Sequence, residues 1–130
     1  MGVRFSPEVK HRVGSDGVSV RVEAPAKVNL FLRLLAKERS GYHQLETLYS
    51  AVDFSDEIVL HRTERGVSVE VAGPSVGPKE ENLVYRAADA LLNAASSPMG
   101  VHVLLTKNIP VGAGLGGGSS DAGATLRALN

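Results

Sequence analysis

The chain has 130 residues, which is about the length of one small domain. Its 43% hydrophobic and 22% charged residues predict a folded core and exclude a chain that is disordered by composition. Fourteen basic and fourteen acidic residues leave no net charge to hold nucleic acid or an anionic membrane, and the absence of cysteine excludes disulfides and thiolate sites.

The positions of the histidines and of the apolar residues disfavour two further classes, metal-binding proteins with histidine ligands and membrane or secreted proteins. The four histidines lie far apart without metal-ligand spacing, so a histidine metal site is not predicted. Every apolar run falls short of the ~18–20 residues of a membrane span, and residues 1–17 carry mixed charge without the apolar core of a signal peptide. We predict a polar tail over residues 1–17, a domain over residues 18–130, and a cytoplasmic protein without a membrane partner.

The sequence pattern of the first part of the domain predicts β-strands. Alternating valines indicate a strand from Val18, and the nearly continuous apolar stretch 28–35 predicts a central strand buried on both faces. Residues 57–62 and 67–71 predict a hairpin around a turn at 63–66.

The sequence pattern of the second part of the domain predicts a helix, a strand and a second helix. After a Gly/Pro-rich connection, Asn82 is placed to cap a helix. Residues 101–105 predict a strand, residues 107–118 a long loop, and Ser119 the start of a second helix. The apolar stripe of the first helix is predicted to be Leu83, Ala87, Ala90, Leu91 and Ala94.

The second predicted helix is still in mid-pattern at Asn130, and nothing caps it. Its Leu126 and Leu129 need an apolar surface to pack on. We therefore expect the chain to be the front part of a longer protein. The alternative is a short domain that ends in a surface helix.

The most informative segment is the loop P-V-G-A-G-L-G-G-G-S-S-D-A at residues 110–122, in which five of seven residues from Gly112 to Gly118 are glycine. Glycine is needed where φ is positive or a ligand approaches closely. Successive backbone N–H groups and the helix dipole then suit a polyphosphate. One of Ser119 and Ser120 is expected to cap the helix, while a hydroxyl there also suits a phosphate or a magnesium ion.

Several interpretations of this loop compete. A flexible linker would lack Pro110 and Leu115, and a Walker A loop would need a lysine that is absent. The spacing G-x-G-x-x-G of a dinucleotide fingerprint is present, but residues 108–110 separate the strand from the first glycine. The remaining interpretation is the phosphate loop of another kinase class.

Two further motifs favour that last interpretation. Together with A-P-A-K-V-N-L-F-L at 24–32 and G-Y-H-Q-L-E-T at 41–47, the glycine loop resembles the GHMP kinase superfamily, from about Ala24 to Asn130. The resemblance implies an α+β domain of the ribosomal protein S5 domain 2-like type, with a mixed sheet and helices packed on one side. It also implies a kinase that uses ATP and Mg2+ to phosphorylate a small alcohol.

The resemblance implies roles for individual residues. Lys27 would be catalytic, because a cation stabilises the developing alkoxide, and Asn29 on the same strand face would bind substrate. Tyr42 and His43 would recognise the cytosine of an alcohol linked to cytidine diphosphate. ATP binding is implied for the loop and two flanking residues, namely Asn82, Lys107, Pro110, Val111, Gly112, Ala113, Gly114, Leu115, Gly116, Gly117, Gly118, Ser119 and Ser120.

Each of these residues has a plainer interpretation without the resemblance. Lys27 would be an exposed strand lysine, Tyr42 and His43 turn residues, Asn82 a helix cap and Lys107 a solvated lysine. The family's acid–base aspartate lies roughly thirty residues beyond the loop, past Asn130, so the 130 residues alone are expected to be inactive. Alternatives for the whole are a non-catalytic nucleotide-binding fragment, a GHMP kinase for another small alcohol, and an S5-like nucleic-acid module, which the zero net charge disfavours.

Overall fold

A mixed five-stranded sheet carries two helices on one face in the computed structural model, which describes residues 10–14, 17–37 and 39–130. The strand order is β1-β2-β3-β5-β4, antiparallel except between β4 and β5. The strands are β1 Lys10–Gly14, β2 Gly17–Lys37, β3 His43–Thr63, β4 Val67–Ala72 and β5 Gly100–Thr106. The helices are α1 Leu83–Ala94 and α2 Gly117–Leu129, with a 3-10 turn at Lys79–Glu81. The predicted α+β class is confirmed.

The core lies between the helices and one face of the sheet. Alternate residues of β2, β3 and β5 point inward because side chains of a strand alternate between its two faces. The buried residues of this cluster are Val22, Ala24, Ile58, Leu60, Val84, Ala88, Val101, Val103, Leu105 and Ala124. The sheet therefore presents β5 and the end of β3 directly beneath α2, where the glycine loop begins.

The sheet extends into the predicted N-terminal tail. Residues 10–14 form β1 and pair with β2 from Lys10↔Arg21 to Gly14↔Gly17. Residues 1–9 and 15–16 of that tail lie outside the described residues.

The predicted hairpin between residues 57–62 and 67–71 is wrong. β5 lies between β3 and β4, antiparallel to the first and parallel to the second. A β-carbon at Gly100 would overlap the backbone of Arg65 and Gly66, so only glycine lets β5 enter beneath this turn. The Val101 amide then donates to the Gly66 carbonyl oxygen at 2.8 Å. The residues of a turn do not show whether a strand from later in the chain inserts between the two strands that the turn connects.

The predicted burial of residues 28–35 on both faces is also wrong. This stretch belongs to β2, which pairs with β3 along a long hairpin whose register shifts at three places. Its apolar side chains stay exposed, with Leu30 at 66% and Leu34 at 67% of full accessibility. The physical reason is that the core beneath the helices takes in only the half of the hairpin that holds Val22, Ala24, Ile58 and Leu60, so no described layer covers the far half.

The helix predictions are confirmed in kind and corrected in detail. Asn82 caps α1, since its side chain accepts a hydrogen bond from the Val84 amide at 2.9 Å. The buried face of α1 is Val84 and Ala88, while Leu83 is 41% exposed, so the predicted stripe is displaced by one residue around the helix. On α2, Leu129 packs against the core whereas Leu126 remains exposed.

Candidate functional site

The glycine loop connects β5 to α2 and has the backbone that its sequence predicts. Gly112, Gly114 and Gly116 have φ of +75°, +76° and +71°, a region that side-chain-bearing residues rarely adopt. The expectation that these glycines serve positive φ is confirmed.

The start of α2 offers uncapped backbone donors. Gly116 is the N-cap and makes no side-chain capping bond, and α2 begins at Gly117. The predicted cap by Ser119 or Ser120 is therefore wrong, because both lie inside the first turns of the helix. Since the Ser120 amide already bonds the Gly116 carbonyl oxygen at 3.0 Å, the N–H groups of residues 117–119 have no intrahelical partner. A helix start of this kind favours an anion.

Gly116 and its neighbour Gly117 also pack closely against other side chains. A β-carbon on Gly116 would stand 3.1 Å from Cγ of Lys27, and one on Gly117 would stand 3.1 Å from both Lys107 Nζ and Ile109 Cγ2. The loop therefore rests on the stem of Lys27 and on the ammonium of Lys107.

Lys27 is tied both to the loop and to its predicted partner. Its backbone amide donates to the Leu115 carbonyl oxygen at 2.9 Å, and its ammonium donates to Asn29 Oδ1 at 2.5 Å. Asn29 Nδ2 donates in turn to Thr47 Oγ1 at 2.7 Å, and that hydroxyl donates to the Phe31 carbonyl oxygen at 2.8 Å. Sequence reasoning missed Thr47, which only the pairing of β2 with β3 brings beside Asn29.

An open cleft of about 420 Å³ lies between the glycine loop and the start of α1. All of the predicted ATP-binding residues except Ser120 line it, including Asn82 and Lys107. Leu105 and Val84 give it an apolar floor, and its size falls within the ~300–1,000 Å³ of small-molecule sites.

Below this cleft lies a buried charge network that the sequence analysis did not predict. The Lys107 side chain is 3% exposed, and its ammonium donates to Asp56 and, at 2.8 Å, to Asp121 Oδ2. Asp56 Oδ1 also accepts from the Asn108 and Ile109 amides, at 2.5 and 2.8 Å. The interpretation of Lys107 as a solvated lysine is wrong, because burial of an ammonium requires such partners.

The three charges of this network shift one another's pKa values. Burial would raise the pKa of Asp56, but Lys107 and the two amides outweigh it and lower that pKa. Burial would lower the pKa of Lys107, but both carboxylates outweigh it and raise that pKa. Burial and, to a smaller extent, the nearby Asp56 carboxylate outweigh the opposing effect of Lys107 and raise the pKa of Asp121 to about 6.

The predicted cytosine-binding pair lies apart from these residues. Tyr42 is 76% exposed at the tip of the β2–β3 hairpin, and His43 pairs with Lys37. Ten residues of strand separate Lys37 from Lys27, up to ~33 Å at ~3.3 Å per residue. The structure thus brings together Lys27, Asn29 and the loop, and it does not bring Tyr42 or His43 to them.

Among the described residues, no group of three or more His, Asp or Glu side chains could hold a metal ion. Within the same residues, none of the helices has the length and apolar character needed to cross a membrane.

Residues 82–130, from the cap of α1 through the glycine loop to the end of α2, match the family described as GHMP kinases N terminal domain. This match includes the glycine loop and agrees with the resemblance to GHMP kinases that the three motifs carry.

Two curated relatives have the same name. The chain is 46% identical over 111 residues to the 4-diphosphocytidyl-2-C-methyl-D-erythritol kinase of Syntrophus aciditrophicus, and 45% identical over 116 residues to that of Pseudomonas aeruginosa. These matches cover 85% and 87% of this chain and 40% of each relative. The chain thus spans about two fifths of the length of the curated relatives that it matches.

Solved structures agree with this assignment of fold. A crystal structure of 4-(cytidine 5'-diphospho)-2C-methyl-D-erythritol kinase is 47% identical with a TM-score of 0.73, over 84% of this chain and 39% of that one. Homoserine kinase from Cytophaga hutchinsonii is 25% identical with a TM-score of 0.64, over 86% of this chain and 34% of that one. A mevalonate kinase at 22% identity and a TM-score of 0.58 shares the fold.

Proposed function

We propose that this chain supplies the nucleotide-binding part of a kinase that transfers the γ-phosphoryl group of ATP to the C2 hydroxyl of 4-diphosphocytidyl-2-C-methyl-D-erythritol, a step of isoprenoid precursor synthesis. The observation that carries the proposal is the glycine loop, with positive φ at three glycines and an uncapped helix start beside Lys27. The names of the relatives at 45–46% identity support the choice of substrate.

The loop suits the polyphosphate of ATP. Free N–H groups at residues 117–119 and the positive end of the α2 dipole both favour phosphate oxygens. The cleft beside the loop has the apolar floor that a nucleotide base needs, with Asn82 at its edge. ATP therefore fits the residues present.

A magnesium ion is proposed as the companion of ATP. Since the described residues hold no group of three or more His, Asp or Glu side chains that could bind a metal, phosphate oxygens and water would supply most of its coordination, with the hydroxyl of Ser119 or Ser120 as the protein's candidate ligand. When bound, Mg2+ neutralises part of the charge on the transferred phosphoryl group.

Lys27 is the proposed catalytic residue. Its backbone is bonded to the loop and its ammonium to Asn29, so the cation is oriented by groups on two sides. A positioned ammonium stabilises negative charge that develops on the substrate oxygen and on the transferred phosphoryl group. Asn29, fixed by Thr47, is proposed to bind the substrate alcohol.

Recognition of cytosine by Tyr42 and His43 stays a prediction. Their exposure at the hairpin tip leaves the ring faces and the imidazole accessible to a ligand. A substrate that contacts both this pair and Lys27 must extend along β2. The cytidine diphosphate group makes the proposed substrate a long molecule. The proposed partner is a small molecule with that group, and the proposed location of the protein is the cytoplasm.

The experiment uses the protein encoded by the whole reading frame that contains these residues. Phosphorylation of 4-diphosphocytidyl-2-C-methyl-D-erythritol is followed by ATP consumption, with homoserine and mevalonate as alternative substrates. We expect turnover only with the cytidylated alcohol, and the proposal fails if another alcohol is used at a higher kcat/KM.

Lys27→Met tests the catalytic role. We expect kcat to fall by about 100- to 1,000-fold, as for loss of one electrostatic stabiliser, while ATP affinity changes little. Lys79→Met removes a cation at the turn before α1, outside the cleft, and should leave kcat unchanged. Full turnover in the Lys27 variant would remove that residue from the mechanism.

A further inference from the structure

The glycine loop is held from below as well as through Lys27. Just before the loop, the Asn108 and Ile109 amides donate to Asp56 Oδ1. Just after it, Asp121 lies in the second turn of α2. The Lys107 ammonium bonds both carboxylates, so one cation connects the two ends of the loop.

Packing places this connection directly under the phosphate-binding backbone. A β-carbon on Gly117 would stand 3.1 Å from Lys107 Nζ, so the ammonium lies against the first residue of α2. Lys107 and Asp121 also line the cleft, and the side chains of all three residues are at most 3% exposed.

Burying three charged side chains costs desolvation free energy, which apolar side chains in the same positions would not cost. Two carboxylates share one ammonium, and Asp121 Oδ1 is buried without a hydrogen-bond partner among the described residues. Replacing buried ion pairs by apolar side chains is often neutral or stabilising. A buried network of this kind is therefore better explained by what it positions than by the stability it adds.

We propose that Asp56, Lys107 and Asp121 form a clamp that holds the glycine loop in its anion-binding shape, with Lys107 as a positioning residue rather than a group that contacts the nucleotide. The clamp ties the strand end at residues 107–109 to the second turn of α2. It thereby sets where the free N–H groups of residues 117–119 point. The inference rests on the proposed ATP-binding function of the loop.

Asp121→Ala tests the clamp in the protein encoded by the whole reading frame. The variant releases α2 but leaves the Asp56–Lys107 pair, so the buried ammonium stays compensated. We expect Mg-ATP to bind about tenfold more weakly, the loss of one charge-assisted hydrogen bond, with a larger change in KM than in kcat. Asp121→Asn, which keeps an acceptor for Lys107, should restore most of the affinity.

A second readout needs no ligand. The amides of Lys27 and Ser120 donate to Leu115 and Gly116 of the loop, so their hydrogen exchange reports its order. We expect Asp121→Ala to raise exchange at both amides relative to β5. Asp89→Ala on α1, where Asp89 accepts from Asn93 at 3.1 Å, is the matched control and should change neither readout.

The clamp is overturned if Asp121→Ala matches Asp89→Ala in ATP affinity and loop exchange, or if exchange rises equally in β5, which would indicate a general loss of stability. Should Asp121→Ala not fold, Asp56→Asn is measured in its place and the same two results decide. If the unmodified protein binds no Mg-ATP, the proposed function fails, whereas the exchange comparison still decides the clamp.

Discussion

The two halves of the molecule differ in how completely their apolar residues are covered. Around the glycine loop, β5 and α2 bury Val103, Leu105 and Ala124 to 2% exposure or less. Along the far half of the β2–β3 hairpin, Phe31, Leu32 and Leu48 are 46–60% exposed. Both regions have strongly apolar sequences, so composition alone does not decide burial. The region that holds the proposed nucleotide site is also the one with a complete core.

A pair of identical substitutions tests this difference with the largest expected effect. Leu105→Ala should lower the free energy of unfolding by ~2–5 kcal/mol, because it leaves a cavity under the cleft. Leu34→Ala, at a side chain that is 67% exposed, should change it by no more than ~0.5 kcal/mol. Urea unfolding followed by circular dichroism measures both, and equal losses would show that the hairpin is covered in solution.

The pH dependence of stability should show a smaller effect, which comes from Asp121 in the well-covered region around the glycine loop. Its folded pKa is raised to about 6 from 3.8, so the folded protein binds more protons than the unfolded chain between those values. Stability that this residue contributes is therefore present below pH 3.8 and is lost as pH rises to about 6, on the order of 3 kcal/mol.

The measurement is the free energy of unfolding from pH 4 to 8 in the unmodified protein and in Asp121→Asn. The difference between them should grow up to about pH 6 and then stay level. A difference that is constant across this range would contradict the raised pKa. Asp56, whose pKa is lowered, contributes stability that is present above pH 3.8 and is lost below it in both proteins.

Two glycines of the loop provide the smallest and most local test. Both Gly112 and Gly116 have positive φ, so alanine at either should cost ~1–2 kcal/mol of backbone strain. Only at Gly116 would the new β-carbon also press on Lys27, at 3.1 Å, whereas at Gly112 it meets nothing within 4 Å. We expect Gly116→Ala to reduce kcat more than Gly112→Ala, measured by ATP consumption, and the reverse order would separate Lys27 from the loop.

Local signals were enough to predict much of the site. The run of glycines predicted positive φ, and Asn82 before an apolar pattern predicted the cap of α1. The spacing of Lys27 and Asn29 predicted a shared strand face, on which the two side chains are hydrogen-bonded. These features depend on residues near one another in the chain, whose backbone preferences act whatever the rest of the fold does.

Tertiary structure decided what depends on distant residues. Nothing in the sequence around Asp56 or Asp121 shows that both meet Lys107, because 51 and 14 residues separate them from it. The insertion of β5 between β3 and β4 likewise replaced the expected hairpin. By itself the sequence determined the positive φ of the loop glycines and the cap of α1 at Asn82, since short-range sterics and hydrogen bonding set them. Only the tertiary structure decided the strand order, the exposure of the far half of the hairpin and the buried clamp. The physical reason is that these features depend on packing between distant residues, which local backbone preferences do not determine.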